Sequence, residues 1–265
     1  MDNTEFALYL KEAEALARQA GEIISSSFGG AQRSDYKSCP SDLVTEIDRR
    51  SEEIILGGLS SKFPDHTFIG EETSGQTLPF KEGFTWFVDP LDGTTNFVFG
   101  IPFCCISIGL ALAGKLVAGL VYDPLRDELF TAVKDGGARL NGSVIEVDKK
   151  RRHLREALLV TGYPANKAFS YRLLRTNYHR VIESCTNLRA LGAAALELAY
   201  VACGRLTGFW ENTLMPWDVA AGTLLVEEAK GTVTDTGGGP INLGGPTSIA
   251  ASNGFIHRQL LEVIS

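Results

Sequence analysis

The stretch Phe84-Thr85-Trp86-Phe87-Val88-Asp89-Pro90-Leu91-Asp92-Gly93-Thr94-Thr95-Asn96-Phe97 constrains the fold more than any other part of the chain. Residues 84–88 form an apolar run that reads as a buried strand, and polarity switches on abruptly at Asp89. Pro90 fixes its own φ and withholds an N–H, so the carboxylates of Asp89 and Asp92 and the carbonyl of Leu91 can be held toward one point. Oxygen donors of this kind suit a hard cation such as Mg²⁺. Gly93, Thr94 and Thr95 follow at a helix start, where the first N–H groups and the helix dipole favour an anion. The same letters also spell an ordinary strand-turn-helix corner, because Asp-Pro and Asp-Gly are turn dipeptides and Thr caps helices.

Three other acidic segments bear on that choice. Phe68-Ile69-Gly70-Glu71-Glu72 is a short strand ending in adjacent carboxylates, of which only one can face a site if the chain stays extended; Glu71 is the choice, with Glu72 its neighbour or an outward charge. Asp42-Leu43-Val44-Thr45-Glu46-Ile47-Asp48 opens an apolar-periodic segment through Ile54, Ile55 and Leu59, and Thr45 with Asp48 fits a capping box. Pro216-Trp217-Asp218-Val219-Ala220-Ala221-Gly222 begins a helical run in which Asp218 also reads as a cap or dipole partner.

Together these segments resemble the inositol monophosphatase family, within the lithium-sensitive, magnesium-dependent sugar-phosphatase superfamily. Asp89–Phe97 is similar to the family's first signature and Trp217–Gly222 to its second; Lys37-Ser38, the Asp42–Asp48 block, Gly70-Glu71-Glu72 and Thr161-Gly162-Tyr163-Pro164 fall in the family's order, so the likeness covers essentially the whole chain. The resemblance implies that Glu71, Asp89 and the Leu91 carbonyl ligate one Mg²⁺, that Asp89, Asp92 and Asp218 ligate a second, and that a third, weaker ion leans on Glu71. It implies that Thr94, bonded to Asp48, orients and deprotonates the attacking water. It further implies that the N–H groups of Gly93, Thr94 and Thr95 hold phosphate, that Gly192 and Ala194 line the polyol ring by their backbone, and that Glu211 accepts hydrogen bonds from it. Phe99 stands where animal members carry a His, outside the metal set.

The expected reaction is Mg²⁺-dependent hydrolysis of myo-inositol monophosphate, with histidinol phosphate, a sugar phosphate or a nucleotide bisphosphate as other candidate esters. Phosphate monoesters hydrolyse so slowly unaided, with enzymatic accelerations reaching ~10²¹-fold, that two metals are a reasonable requirement. A non-catalytic polyol-phosphate or metal-binding regulatory protein is the alternative of a different class; it would tolerate loss of the water-activating pair, whereas Thr94 and Asp48 are both present.

Composition agrees with a small-molecule enzyme. With 25 Lys+Arg against 32 Asp+Glu the formal charge is −7, which argues against nucleic acid as a partner. The five cysteines, Cys39, Cys104, Cys105, Cys185 and Cys203, lack C-x-x-C spacing, and the four histidines are scattered, so neither structural zinc nor a disulfide framework is indicated. Phe6, Leu10, Ala13, Ala17, Ala20 and Ile24 recur at helical spacing, but Lys11, Glu12, Glu14 and Arg18 interrupt any signal-peptide core. Cytoplasmic location, no membrane contact and the homodimer usual in the family are the expectations.

The coarse pattern predicts helices over 4–27 and 44–61 and strands ending at Ile69 and Val88. Strands at Phe103–Leu112, Leu116–Tyr122, Glu128–Val133 and Val144–Val147 follow, with an Asn141-Gly142 hairpin, giving an antiparallel first half. Lys149-Lys150-Arg151-Arg152 reads as a solvated connector. Beyond it, strands at Ala157–Val160, Leu188–Ala190, Leu206–Trp210, Thr232–Thr234 and Ser248–Ala251 alternate with helices near 166–184, 192–202, 218–229 and 254–264, giving an α/β second half. The resemblance adds the arrangement, implying a five-layer αβαβα sandwich. It would comprise an α+β half over 1–150, carrying most metal ligands, and an α/β half over 151–265, carrying Asp218 and the ring contacts, joined as one catalytic unit.

Overall fold

The computed structural model describes residues 3–30, 34–36, 43–74, 82–163 and 178–265. Lys37, Ser38, Cys39, Asp42, Pro164 and most of the helix expected at 166–184 lie outside the described residues.

Helix α1 (Asn3–Ser27) and helix α2 (Glu46–Lys62) open the chain, with a small ribbon of β1 (Ser34–Tyr36) and β2 (Leu43–Thr45) between them. The helix expected from residue 44 starts at 46, because residues 43–45 are taken into antiparallel pairing with 34–36. Thr45 then caps α2 in a capping box with Asp48.

A seven-stranded sheet follows: β3 (Thr67–Gly70), β4 (Phe84–Asp92), β5 (Cys105–Leu112), β6 (Lys115–Asp123), β7 (Glu128–Val133), β8 (Gly137–Leu140) and β9 (Ser143–Ile145), in that spatial order. The first half is antiparallel with one exception: β3 runs parallel to β4, Gly70 opposite Val88. Strand β8 has no counterpart in the sequence-based expectation. The Asn141-Gly142 turn behind it is as expected, with both residues at positive φ (47° and 79°), the twist a two-residue hairpin requires. Strand β9 stops at Ile145, and the Val147 N–H goes to the Ala229 carbonyl instead.

The second sheet contains β10 (Leu158–Thr161), β11 (Asn187–Arg189), β12 (Gly208–Leu214), β13 (Thr232–Thr234) and β14 (Thr247–Ser252), ordered β11-β10-β12-β14-β13. It is mixed rather than wholly parallel: β10 pairs in parallel with β11 and β12, and β14 antiparallel with β12 and β13. Short helix α3 (Thr94–Val98) follows β4, and α4 (Ala194–Ala202), α5 (Pro216–Glu228) and α6 (His257–Ile264) follow in the second half, where residues 178–184 are also helical.

Side-chain alternation sorts these elements into five layers. Trp86, Val88, Ile106, Ile108 and Leu120 face α1 and α2. Cys105, Val121 and Phe130 face α4 and α5, which meet Val160, Phe209 and Ala251 of the second sheet on their other side. Leu159, Trp210 and Ala250 face outward onto α6 and Val181. The observed order is αβαβα, as the family resemblance implied.

The central layer is thin because it is built from small residues. A Cβ at Gly109 would lie 2.7 Å from the Ala220 Cβ, and one at Gly119 would lie 3.0 Å from the Ala221 carbonyl oxygen. The backbone of α5 therefore rests directly on strands β5 and β6, and the run Val219-Ala220-Ala221-Gly222 is chiefly a packing device. Among the described residues no helix is long and apolar enough to cross a membrane.

Candidate active site

Strand β4 ends in a bulge that decides where its carboxylates go. Asp89 pairs with Ser107 and Asp92 with Cys105, so three steps along β4 match two along β5. In a regular strand residues 89 and 92 would point to opposite faces. The extra residue inverts the alternation. Phe87 packs toward α5, while Leu91, which should share its face, sits instead in the core beside α1 and α2. Asp89 and Asp92 thus both reach the side occupied by α4 and α5. The Pro90 carbonyl, on the opposite side, accepts a hydrogen bond from Ser51 Oγ at 2.8 Å.

Parallel pairing of β3 with β4 brings Glu71 to the same edge: the Glu71 N–H donates to the Val88 carbonyl at 3.1 Å. Glu72 turns aside, its N–H donating to Glu52 Oε2 at 2.8 Å. Asp218 arrives from α5, where its Oδ2 accepts the Met215 N–H at 2.7 Å in the capping role anticipated for it. Ser107 fixes that helix start by donating to the Trp217 carbonyl at 3.0 Å. The residue opposite Asp89 therefore also anchors the neighbour of Asp218. Sequence reasoning assigned Ser107 nothing, although a Ser inside the apolar run 103–112 was a readable signal.

Asp48 makes its cap and its contact with Thr94 through different oxygens. Oδ2 accepts from the Thr45 N–H at 2.8 Å and the Thr45 hydroxyl at 2.5 Å, closing the helix cap. Oδ1 lies 2.7 Å from Thr94 Oγ1. Thr94 Oγ1 is also 2.9 Å from the Leu91 carbonyl, and its single proton can serve only one of these acceptors at a time. Asp48 itself is fully buried.

Gly93 turns the chain from β4 into α3 at φ 90°, and a Cβ there would meet the Phe103 carbonyl oxygen at 2.9 Å. Asn96 ties this corner to the second half of the chain, its Nδ2 donating to the Phe103 carbonyl at 2.8 Å and the Leu191 carbonyl at 2.7 Å. Asn96 stood inside a recognised motif without receiving a role.

A cavity of about 400 Å³ opens here, lined by Glu71, Gly93, Thr94, Thr95, Asn96, Gly192 and their neighbours. Asp48, Asp89, Leu91, Asp92, Ala194, Glu211 and Asp218 do not line it. Ala194 and Ala195 direct their N–H groups at the Asp92 carboxylate, Ala195 at 2.7 Å from Oδ2. Glu211, on β12, is buried against Gly162, where any Cβ would fall 2.0 Å from its Oε2.

The carboxylates repel one another. Burial, then the charges of Glu71, Asp92 and Asp218, hold the Asp89 carboxyl well above the usual range, and a hydrogen bond with Glu71 adds to the effect. Burial pushes Asp92 to about 7 against the opposing pull of the Ala195 N–H. Among the described residues no three carboxylate, imidazole or thiolate groups already enclose a common point. The arrangement is a like-charged cluster rather than a closed cage, and oxygen-only donors of this sort fit a hard divalent cation whose charge offsets the repulsion.

The model of the inositol monophosphatase family matches residues 7–265. The protein named Nus factor SuhB from Pasteurella multocida is 40% identical over 250 residues, 93% of this chain and 92% of that protein. Inositol monophosphatase 2 of Solanum lycopersicum is 42% identical over 254 residues, covering 94% and 95%. The crystal structure of extragenic suppressor protein suhB from Bartonella henselae has a TM-score of 0.88 at 37% identity, covering 97% of this chain and 98% of that one. The protein is thus a phosphatase enzyme, of a class that is generally metal-dependent. More narrowly, the chain belongs to the inositol monophosphatase family.

Proposed function

We propose that this phosphatase hydrolyses myo-inositol monophosphate to inositol and phosphate in a Mg²⁺-dependent reaction, with water as the nucleophile. The observation that carries the proposal is the convergence of Glu71, Asp89, Asp92 and Asp218 from three segments, where the charges of the other three add to the cost of ionising Asp89, beside the Thr94–Asp48 pair. The name of the tomato relative supports the choice of ester.

In this reading Glu71, Asp89 and the Leu91 carbonyl hold one ion, Asp89, Asp92 and Asp218 a second, and Glu71 contributes to a weaker third. When bound, Mg²⁺ lowers the pKa of water and neutralises charge on phosphoryl oxygens. The protein's own groups do the rest. Thr94 Oγ1 can pass its proton to Asp48 Oδ1, 2.7 Å away and buried, as its lone pair accepts one from the attacking water. The N–H groups of Gly93, Thr94 and Thr95, at the start of α3, orient the phosphate. Glu211 and the backbone at Gly192 and Ala194 receive the ring. The 1–150 and 151–265 halves act as one catalytic unit, since Asp218 and the other ligands come from opposite sides. Inhibition by Li⁺ and assembly as a cytoplasmic homodimer belong to the same reading.

A panel of phosphate esters in saturating Mg²⁺ tests the substrate. Inositol monophosphate should give the highest kcat/KM, above histidinol phosphate, sugar phosphates and nucleotide bisphosphates. Equal kcat/KM on all of them would remove the case for inositol.

A further inference from the structure

The segment 190–193 between β11 and α4 forms one wall of the cavity, through Ala190, Leu191 and Gly192. Asn96 holds it by its carbonyls. A second group holds it by its N–H groups: Glu197, fully buried in the first turns of α4, accepts the Leu191 N–H at 2.8 Å and the Gly192 N–H at 3.0 Å on the same oxygen, Oε1. Its other oxygen, Oε2, is buried with no hydrogen-bond partner. Ala193, the N-cap of α4, offers no side-chain cap, and the first helical N–H groups are turned to Asp92 instead. The cavity wall and the carboxylate cluster therefore meet at one helix start, each fastened by a different acid.

We infer that Glu197 is a positioning residue for the ring-bearing part of the substrate: by gripping two successive N–H groups it sets the Leu191–Gly192 backbone against the cavity. The inference rests on the reading that this backbone lines the polyol. A side chain needed only to fill the core would not place one oxygen on both amides and leave the other without a partner, since a buried carboxyl without full pairing is destabilising. Burial pushes the Glu197 carboxyl up to about 8, so near neutrality it is a neutral acid that Gln can imitate.

The test compares Glu197→Leu and Glu197→Gln, with Glu197→Met in place of Leu should that variant not fold. Amide hydrogen exchange at Leu191 and Gly192 reads the grip itself: it should quicken in the Leu or Met variant and remain as in the unaltered protein with Gln. KM for inositol monophosphate should rise roughly tenfold without the acceptor and recover with Gln, kcat staying within about twofold. KM for p-nitrophenyl phosphate, which has no polyol ring, should not move. Unchanged exchange at both amides in the Leu or Met variant, or equal KM increases on both esters, would overturn the inference. Faster exchange with no change in either KM would also overturn it. If the unaltered protein showed no preference for inositol monophosphate, the substrate reading would fail first, and the exchange result would still decide whether Glu197 holds the wall.

Discussion

Glu71, Asp89, Asp92 and Asp218, the group proposed to hold cations, and Glu197 and Glu211, the pair proposed to serve the ring, are two ways of keeping acids inside a protein. In the first group Asp89 is raised by burial and then by three other carboxylates. Burial is the largest cause in the second group as well, joined for Glu211 by the charges of Glu197, Asp218 and Asp92, but at Glu197 two backbone N–H groups pull against it. A proton relieves both like-charge repulsion and the cost of desolvation, and a bound cation would offset the repulsion. Partners rather than the direction of the shift separate the two groups: Asp89 shares a hydrogen bond with Glu71, whereas Glu197 holds two backbone N–H groups.

The largest effects should fall on the cation side. Asp92→Asn or Asp218→Asn should lower Mg²⁺-dependent turnover by on the order of 10³-fold while leaving a folded protein, read by steady-state kinetics with circular dichroism as the folding control. Near-normal kcat in a folded Asp92→Asn variant would dissolve the distinction between the two groups. Next comes Thr94→Ala, which should reduce kcat by roughly 10²- to 10⁴-fold with little change in KM, because the hydroxyl acts on the nucleophile. A rise in KM alone would reassign Thr94 to substrate binding.

Changes on the ring side should be smaller and substrate-selective. Glu211→Ala should reduce kcat/KM for inositol monophosphate by about tenfold or more, since a site built to bond a hydroxyl loses that partner. Glu211→Gln should cost less, because burial holds the Glu211 carboxyl well above its usual range and the amide keeps an oxygen acceptor in the same place. Hydrolysis of p-nitrophenyl phosphate should be spared by both; equal losses on the two esters would make Glu211 a general support.

The smallest effect on activity and the clearest on stability belongs to Glu197. Its folded pKa of about 8 exceeds the ordinary 4.5, so the unfolded chain releases this proton first as pH rises. The stability that this one group contributes should be full below about pH 4.5, decline between there and about 8, and be level above, a loss on the order of 4 to 5 kcal/mol. Urea midpoints between pH 5 and 8 should show a shallower decline in Glu197→Gln than in the unaltered protein. Parallel curves would assign the proton elsewhere.

Much of this was legible in the sequence because local chemistry and tertiary role coincide. The switch from apolar to acidic at Asp89 marks a strand end, and Thr45 with Asp48 marks a helix start, wherever the rest of the chain goes. Pairing direction was not legible: nothing local to Thr67–Gly70 says that it runs parallel to β4, and that direction is what seats Glu71 beside Asp89. The bulge was hidden too, because it is a mismatch with β5 rather than a property of β4. Strand β8 was missed because Gly137-Ala138-Arg139-Leu140 has weak β-character and is held by its neighbours. Glu197 lay within a run expected to be an ordinary helix, and only the fold shows its carboxyl folded back on the preceding loop.

The central claim is that the like-charged cluster is completed by Mg²⁺ and hydrolyses a phosphate ester only then. The direct measurement is turnover of inositol monophosphate by protein stripped of divalent ions with a chelator, followed by titration with Mg²⁺. The account predicts that turnover vanishes on stripping, returns with Mg²⁺, and fails to return in Asp218→Asn at the same ion concentrations. Undiminished turnover in the stripped protein would contradict it.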